Sequence, residues 1–194
     1  MRAPVTDLLD VDGANPWRTE STRVVFEDSR LRLREDRVIQ PDGEPGVYVY
    51  LEVHTPIVAV VPIDNQGYVY LVRQWRYPWR RNSWEIPSGG AEPGESPLEA
   101  ARRELAEEVG LHASNWESMA GGHSSATVTG QWHFFIARGL QPVNNGRHQR
   151  DGAEQDLIAR RVPLPTAIDA ALDGRIEHGM SVVGLLRAAR RLGV

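Results

Sequence analysis

Between Arg23 and Val53 apolar and polar residues alternate. "RVVFED", "RLRLREDRVI" and "VYVYLEV" are rich in β-branched and aromatic residues, which predicts strands, and "PDGEPG" predicts a turn between the last two. His54-Thr55-Pro56 breaks the pattern. "IVAVVPI" and "YVYLVRQW" follow, split by "DNQG", and predict a second hairpin. "WEIPSGG", "WESMAGG", "WHFFIARGL" and "DLIARRV" add further strands. "SPLEAARRELAEEVGL" switches to a helical period. Ser96 is the expected N-cap, Pro97 the first helical residue, Glu99 the partner in a capping box and Gly110 the stop. Ala101, Leu105 and Val109 make the buried stripe, and Glu99 and Arg103 an i, i+4 ion pair. "PTAIDAALDG" predicts a short helix ending at Gly174. "VVGLLRAARRLG" predicts a last helix capped by Ser181, with Leu185, Leu186, Ala189 and Leu192 on one face. The polar stretch 141–155 reads as a long surface loop, a kind that is often functional. Residues 1–54 are thus an N-terminal arm and small antiparallel β-sheet, and 55–194 a mixed α/β body.

Composition narrows the chemistry. The chain carries 22 basic and 26 acidic residues, a net charge of −4, with no basic run to suit nucleic acid. Every basic residue is arginine, so lysine Schiff-base chemistry is excluded. There is no cysteine, which removes disulfides, thiolate catalysis and cysteine–zinc sites and fits a reducing compartment. No segment has the length of a membrane span or a signal peptide's apolar stretch. A cytoplasmic protein is expected.

The helix at 96–111 contains an anomaly. Glu104, Glu107 and Glu108 share one face near its C-terminus. Like charges at i, i+4 destabilise a helix by a few tenths of a kcal/mol, and carboxylates there oppose the macrodipole by roughly 0.3–1 kcal/mol each. A solvated acidic face is the ordinary explanation for such a run. A strand and glycine loop before the helix favour another one. Divalent cations reverse the sign of both terms, and Mg²⁺ chooses oxygen ligands while keeping waters that leave room for phosphate oxygens.

The same stretch resembles the Nudix hydrolase box, G-x5-E-x7-R-E-U-x-E-E-x-G-U with U aliphatic. Gly89, Glu95, Arg103, Glu104, Leu105, Glu107, Glu108, Gly110 and Leu111 meet every specified position. The resemblance implies an α/β/α sandwich around a mixed sheet. It also implies metal-dependent cleavage of a nucleoside diphosphate linked to another moiety, with Mg²⁺, or Mn²⁺ as a substitute. Carried over by position, Glu104 and Glu108 are the main metal ligands, with Glu107 near them and the Ser88 carbonyl as a backbone ligand. Glu95 and Arg103 hold loop and helix together.

"LVRQWRYP" before "WEIPSGG" is similar to the ADP-ribose pyrophosphatase branch, as are the N-terminal sheet and "DGRIEHGMSVVGLLRAAR". In that branch the small sheet swaps across a homodimer. Arg76 matches a substrate-contacting arginine and Arg73 is its neighbour. A guanidinium donates paired, coplanar hydrogen bonds that suit a diphosphate; the alternative for Arg73 is a salt bridge with Glu85. Tyr48, Tyr50 and Trp17 are candidates for stacking on a base, with strand packing as the alternative. A late-loop carboxylate orients the attacking water in this branch, and Glu154 and Asp156 stand at that place beside Asp151. His123 and His133 lie near the expected pocket mouth, as phosphate contacts or as hydrogen-bonded strand histidines. "GGHSSATVTGQWHFF" departs from the branch, with Thr127 where a proline is usual. That stretch is closer to a sister group acting on GDP-mannose and other nucleotide sugars. The resemblance implies a small-molecule nucleotide substrate, most simply ADP-ribose. A non-catalytic Nudix ligand sensor is the alternative of another class.

Overall fold

The computed structural model describes residues 13–143 and 156–194. The chain divides into two compact units, Met1–Glu52 and Val53–Val194.

The described residues of the first unit form a three-stranded sheet of β1 (Arg18–Glu27), β2 (Leu31–Ile39) and β3 (Pro45–Val53), in that order. β1 runs antiparallel to β2, and the predicted turn follows β2, where the Gln40 amide donates to the Glu44 carbonyl at 2.9 Å. Ion pairs such as Arg23–Glu35 lace the surface. Val38 is the one buried hydrophobic residue among the described residues of this unit, while Val24, Val25, Phe26, Val47 and Val49 are exposed.

The described residues of the second unit form two sheets. β7 (Ser88–Gly90), β4 (Ile57–Pro62), β9 (Gln131–Pro142) and β8 (Leu111–His123) form a mixed sheet in that order, with β4 parallel to β9. β10 (Ile158–Pro163), β5 (Tyr68–Arg76) and β6 (Arg81–Glu85) form an antiparallel sheet. The α-helices of the described residues are α1 (Pro97–Glu104), α2 (Leu164–Leu172) and α3 (Gly179–Leu192). No helix of the described residues is long and apolar enough to cross a membrane.

β4 explains the sandwich. Its unbroken apolar run feeds two cores in alternation. Val58 and Val60 pack with Ala100, Ala101 and Leu105 of the α1 layer. Ala59 and Val61 pack with Ala167, Leu185 and Ala188 of the α2–α3 layer. A strand covered on both faces needs an apolar residue at every position. The result is the α/β/α sandwich around a mixed sheet that the motif implied, with the small N-terminal sheet beside it in sequence.

Two local expectations are corrected. "DNQG" does form a turn, with the Asp64 carboxylate accepting from the Gln66 and Tyr68 amides at 2.8 and 3.1 Å. Its strands then part after one bridge, Ile63 to Val69, because β7 and β9 already occupy both edges of β4. Ser181 is not the cap of α3. The helix begins at Gly179 with His178 as N-cap, and Ser181 is buried inside the first turn, where its Oγ accepts from the Ile86 amide at 2.9 Å.

Candidate active site

α1 starts as its sequence dictates. The Ser96 Oγ accepts from the Glu99 amide at 3.3 Å, and the Glu99 carboxylate accepts from the Ser96 amide at 2.9 Å and its hydroxyl at 2.6 Å. That commits Glu99 to the cap, so the expected Glu99–Arg103 pair does not form. After Glu104 the helix loosens into a π-helical turn, Leu105–Val109, and Gly110 ends it in the left-handed conformation at φ 77°. Glu107 and Glu108 ride on this turn, and β5 lies against it.

Arg103 organises the carboxylates. Its guanidinium donates to both oxygens of Glu95 at 3.1 Å, to Glu104 at 2.8 Å and to Glu107 at 3.0 Å. It also donates to the Gly90 carbonyl at 2.8 Å. Burial disfavours its charge, but the Glu95 hydrogen bonds and the Glu104 charge outweigh that and raise its pKa well above the ordinary value. Glu95 answers in kind. Burial raises its pKa, yet the Arg103 hydrogen bonds and the Glu92 amide hold it below the usual carboxylate range.

Glu104 and Glu108 are 5% and 1% exposed. Both turn toward β7. The Ser88 amide donates to Glu108 at 2.9 Å, so it points away from β4. The amide and carbonyl of one strand residue leave the same edge; the Ser88 carbonyl therefore faces that side too. Gly89 lies directly beneath the Glu104 carboxylate. A β-carbon there would sit 2.7 Å from one carboxylate oxygen and closer still to the other, so only glycine fits. The donor set, three carboxylates and a turned-out carbonyl, is all hard oxygen and suits Mg²⁺. Among the described residues no three His, Asp or Glu side chains are drawn together as a metal cage. Arg103 and the Ser88 amide satisfy the carboxylates in this state.

A second polar cluster joins β5, β6 and the start of α3. Glu85, fully buried, takes a forked hydrogen bond from Arg76, whose Nε donates at 2.7 Å. Nδ1 of His178 stands 3.1 Å from the other Glu85 oxygen and 2.8 Å from the Ser181 Oγ. The salt bridge considered for Arg73 thus belongs to Arg76. Strand register decides it. Val72 pairs with Glu85 and Arg73 with Trp84, which puts Arg73 on the face opposite Glu85. The Arg73 Nε is buried and has no hydrogen-bond partner among the described residues.

The remaining candidates lie on other elements. Tyr48 packs edge-on to Trp17 at 5.6 Å and obliquely to Tyr50 at 6.4 Å, within the first unit. Asp156 is exposed, two residues before Ile158 pairs with Arg73. Glu154, Asp151 and most of the loop expected at 141–155 lie outside the described residues. His133 pairs in register with Val58, and His123 ends β8. Sequence reasoning overlooked His178 and gave Ser181 the wrong role. A histidine just before a helix is the only local signal, and it does not reveal a partner some ninety residues away.

The Nudix domain family model matches residues 53–181, across both polar clusters. The chain belongs to the Nudix hydrolase family. It is a hydrolase acting on pyrophosphate bonds. The N-terminal sheet matches a separate family model, the nucleoside diphosphate sugar hydrolase N-terminal domain, over residues 17–51. An ADP-ribose pyrophosphatase of Mycobacterium tuberculosis is 32% identical over 88% of this chain and 82% of its own length. A methanol dehydrogenase activator of Bacillus methanolicus is 28% identical over 87% and 90%. A crystal structure of an ADP compounds hydrolase superposes with a TM-score of 0.82 at 21% identity, over 94% of this chain and 97% of that one. Nudix hydrolases generally use divalent metal ions, consistent with the oxygen-rich carboxylate group on this hydrolase's π-turn.

Proposed function

We propose that this hydrolase uses Mg²⁺, replaceable by Mn²⁺, to split the diphosphate of a nucleoside diphosphate sugar, with ADP-ribose yielding AMP and ribose 5-phosphate. The observation that carries the reading is the burial of Glu104 and Glu108 against Ser88 and Gly89, where helix energetics alone disfavour them. Glu104, Glu107, Glu108 and the Ser88 carbonyl are the metal ligands. The ion supplies charge for the diphosphate oxygens and lowers the pKa of the attacking water. Asp156 or Glu154 orients that water as it forms a bond to one phosphorus and the bridging oxygen departs with the other phosphate. Arg76 binds the diphosphate; Arg73, on the opposite face of β5, is the other candidate, with an Nε that has no hydrogen-bond partner among the described residues. Tyr48 is a candidate to stack on the base. The similarity to an ADP-ribose pyrophosphatase and the matching N-terminal domain support the substrate class.

The exposed Val24, Phe26, Val47 and Val49 support a homodimer in which a second copy covers the small sheet. The cysteine-free sequence suits a cytoplasmic setting.

One observation favours a second reading, GDP-mannose or another nucleotide sugar or dinucleotide. Where the ADP-ribose branch has its proline, Thr127 and Ser125 close the turn with each other, their hydroxyls 3.1 Å apart. The test is a panel of ADP-ribose, ADP-glucose, GDP-mannose, NADH and diadenosine polyphosphates with Mg²⁺, read as phosphate released after phosphatase coupling. Preference for ADP-ribose supports the first reading and preference for another sugar the second. Saturable binding without turnover under any divalent metal would overturn both in favour of a sensor.

A further inference from the structure

Arg76 reaches its place from the end of β5, and a guanidinium there has several rotamers open to it. Glu85 fixes one of them by accepting from Nε and one Nη at once. Glu85 in turn has a second partner from a distant part of the chain, the Nδ1 of His178. Nδ1 stands 3.1 Å from the Glu85 oxygen and is hydrogen-bonded to the Ser181 Oγ at 2.8 Å; a bare lone pair facing a carboxylate would be repelled, so the proton is assigned to Nδ1. The ring and its neighbour in the chain are both held in place. The Ser181 Oγ contacts Nδ1, the Trp79 ring stands 6.2 Å away, and the neighbouring Glu177 is paired with Arg81. Burial and the nearby Arg76 push the His178 pKa down, against the pull of Glu85 in the other direction. The ring is therefore a neutral donor, and it adds no competing cation beside Arg76.

We propose that His178 is a positioning residue for substrate: by holding Glu85 it presets the Arg76 guanidinium for the diphosphate. This rests on the reading of Arg76 as a substrate contact. The Arg76–diphosphate contact that it presets forms on binding and persists unchanged into the transition state, so losing the preset raises KM and leaves kcat nearly unchanged.

The experiment measures KM and kcat on the nucleotide sugar the panel identifies, with melting temperature as a check on folding. His178→Ala is expected to raise KM about tenfold, the scale of one hydrogen bond to a charged group, with kcat within about twofold. His178→Asn places an amide N–H near the position of Nδ1 and is expected to restore most of the loss, whereas His178→Gln, whose amide reaches further, is not. In an Arg76→Ala background, His178→Ala is expected to add no further rise, because both act through one contact. An unchanged KM in His178→Ala would overturn the proposal. So would an equal rise in both backgrounds, which would make the effect structural while leaving Arg76 a substrate contact. If Arg76→Ala alone leaves KM unchanged, the placement of Arg76 fails and the proposal with it.

Discussion

Gly89→Ala puts one methyl group where the Glu104 carboxylate lies. The added carbon would stand 2.7 Å from one carboxylate oxygen and nearer to the other, whereas ordinary contact begins beyond about 3.4 Å. Either the side chain or β7 must shift by something near 1 Å. Glu104 cannot swing out freely, because it is 5% exposed and Arg103 holds it at 2.8 Å. β7 is fixed to β4 by register from Ala59 to Ile57. Overpacking of this kind costs about 1–3 kcal/mol, which lowers the melting temperature by roughly 2–12 °C in a chain of this size. The effect on chemistry is larger. A misplacement of about 1 Å in a positioned group costs on the order of 10²-fold in rate. Gly89→Ala should therefore fold, melt somewhat early and lose about two orders of magnitude in kcat with Mg²⁺. A variant with wild-type kcat would refute the placement of Glu104 at the reacting centre. A variant that fails to fold would show the strain to be in the backbone rather than the carboxylate.

Glu108→Gln retains an acceptor for the Ser88 amide, so its melting temperature should stay close to wild type while turnover falls by at least about 10³-fold. Arg103→Ala removes the guanidinium shared by Glu95, Glu104 and Glu107, costing about 3 kcal/mol, and about 10 mM Mg²⁺ should raise its melting temperature more than that of wild type. His178 has a folded pKa below its unfolded 6.5, so the unfolded chain binds more protons just below that pH. The stability this confers is present above pH 6.5 and is lost as pH falls through that window; denaturant titration should show the decline flattened in His178→Asn. Phe26→Asp on the exposed face of β1 should convert a dimer to monomers in size-exclusion chromatography with light scattering, and a monomeric wild type would refute the homodimer.

Features that depend on neighbours in sequence were legible before the fold. The capping box at Ser96, the stripe Ala101–Leu105 and the stop at Gly110 all follow from spacing along one helix. Features that depend on which strand lies beside which were not. Arg73 and Arg76 look interchangeable as partners for Glu85 until register assigns them to opposite faces. Likewise β4 and β5 look like a hairpin until β9 takes the edge that β5 would need. Ser181 looks like a cap because the sequence cannot show the Ile86 amide waiting for it.

The π-helical turn at Leu105–Val109 makes the site sensitive to length rather than to composition. Each residue of an α-helix advances the chain by about 100°, and each residue of a π-turn by somewhat less, so deletion of Ala106 would swing Glu107 and Glu108 round the axis relative to Glu104. No rotamer change recovers a rotation of that size. A lineage carrying this helix can exchange Ala106 or Val109 for another residue and keep its chemistry. It cannot gain or lose one there, and that fixed interval makes the motif readable as a string at all.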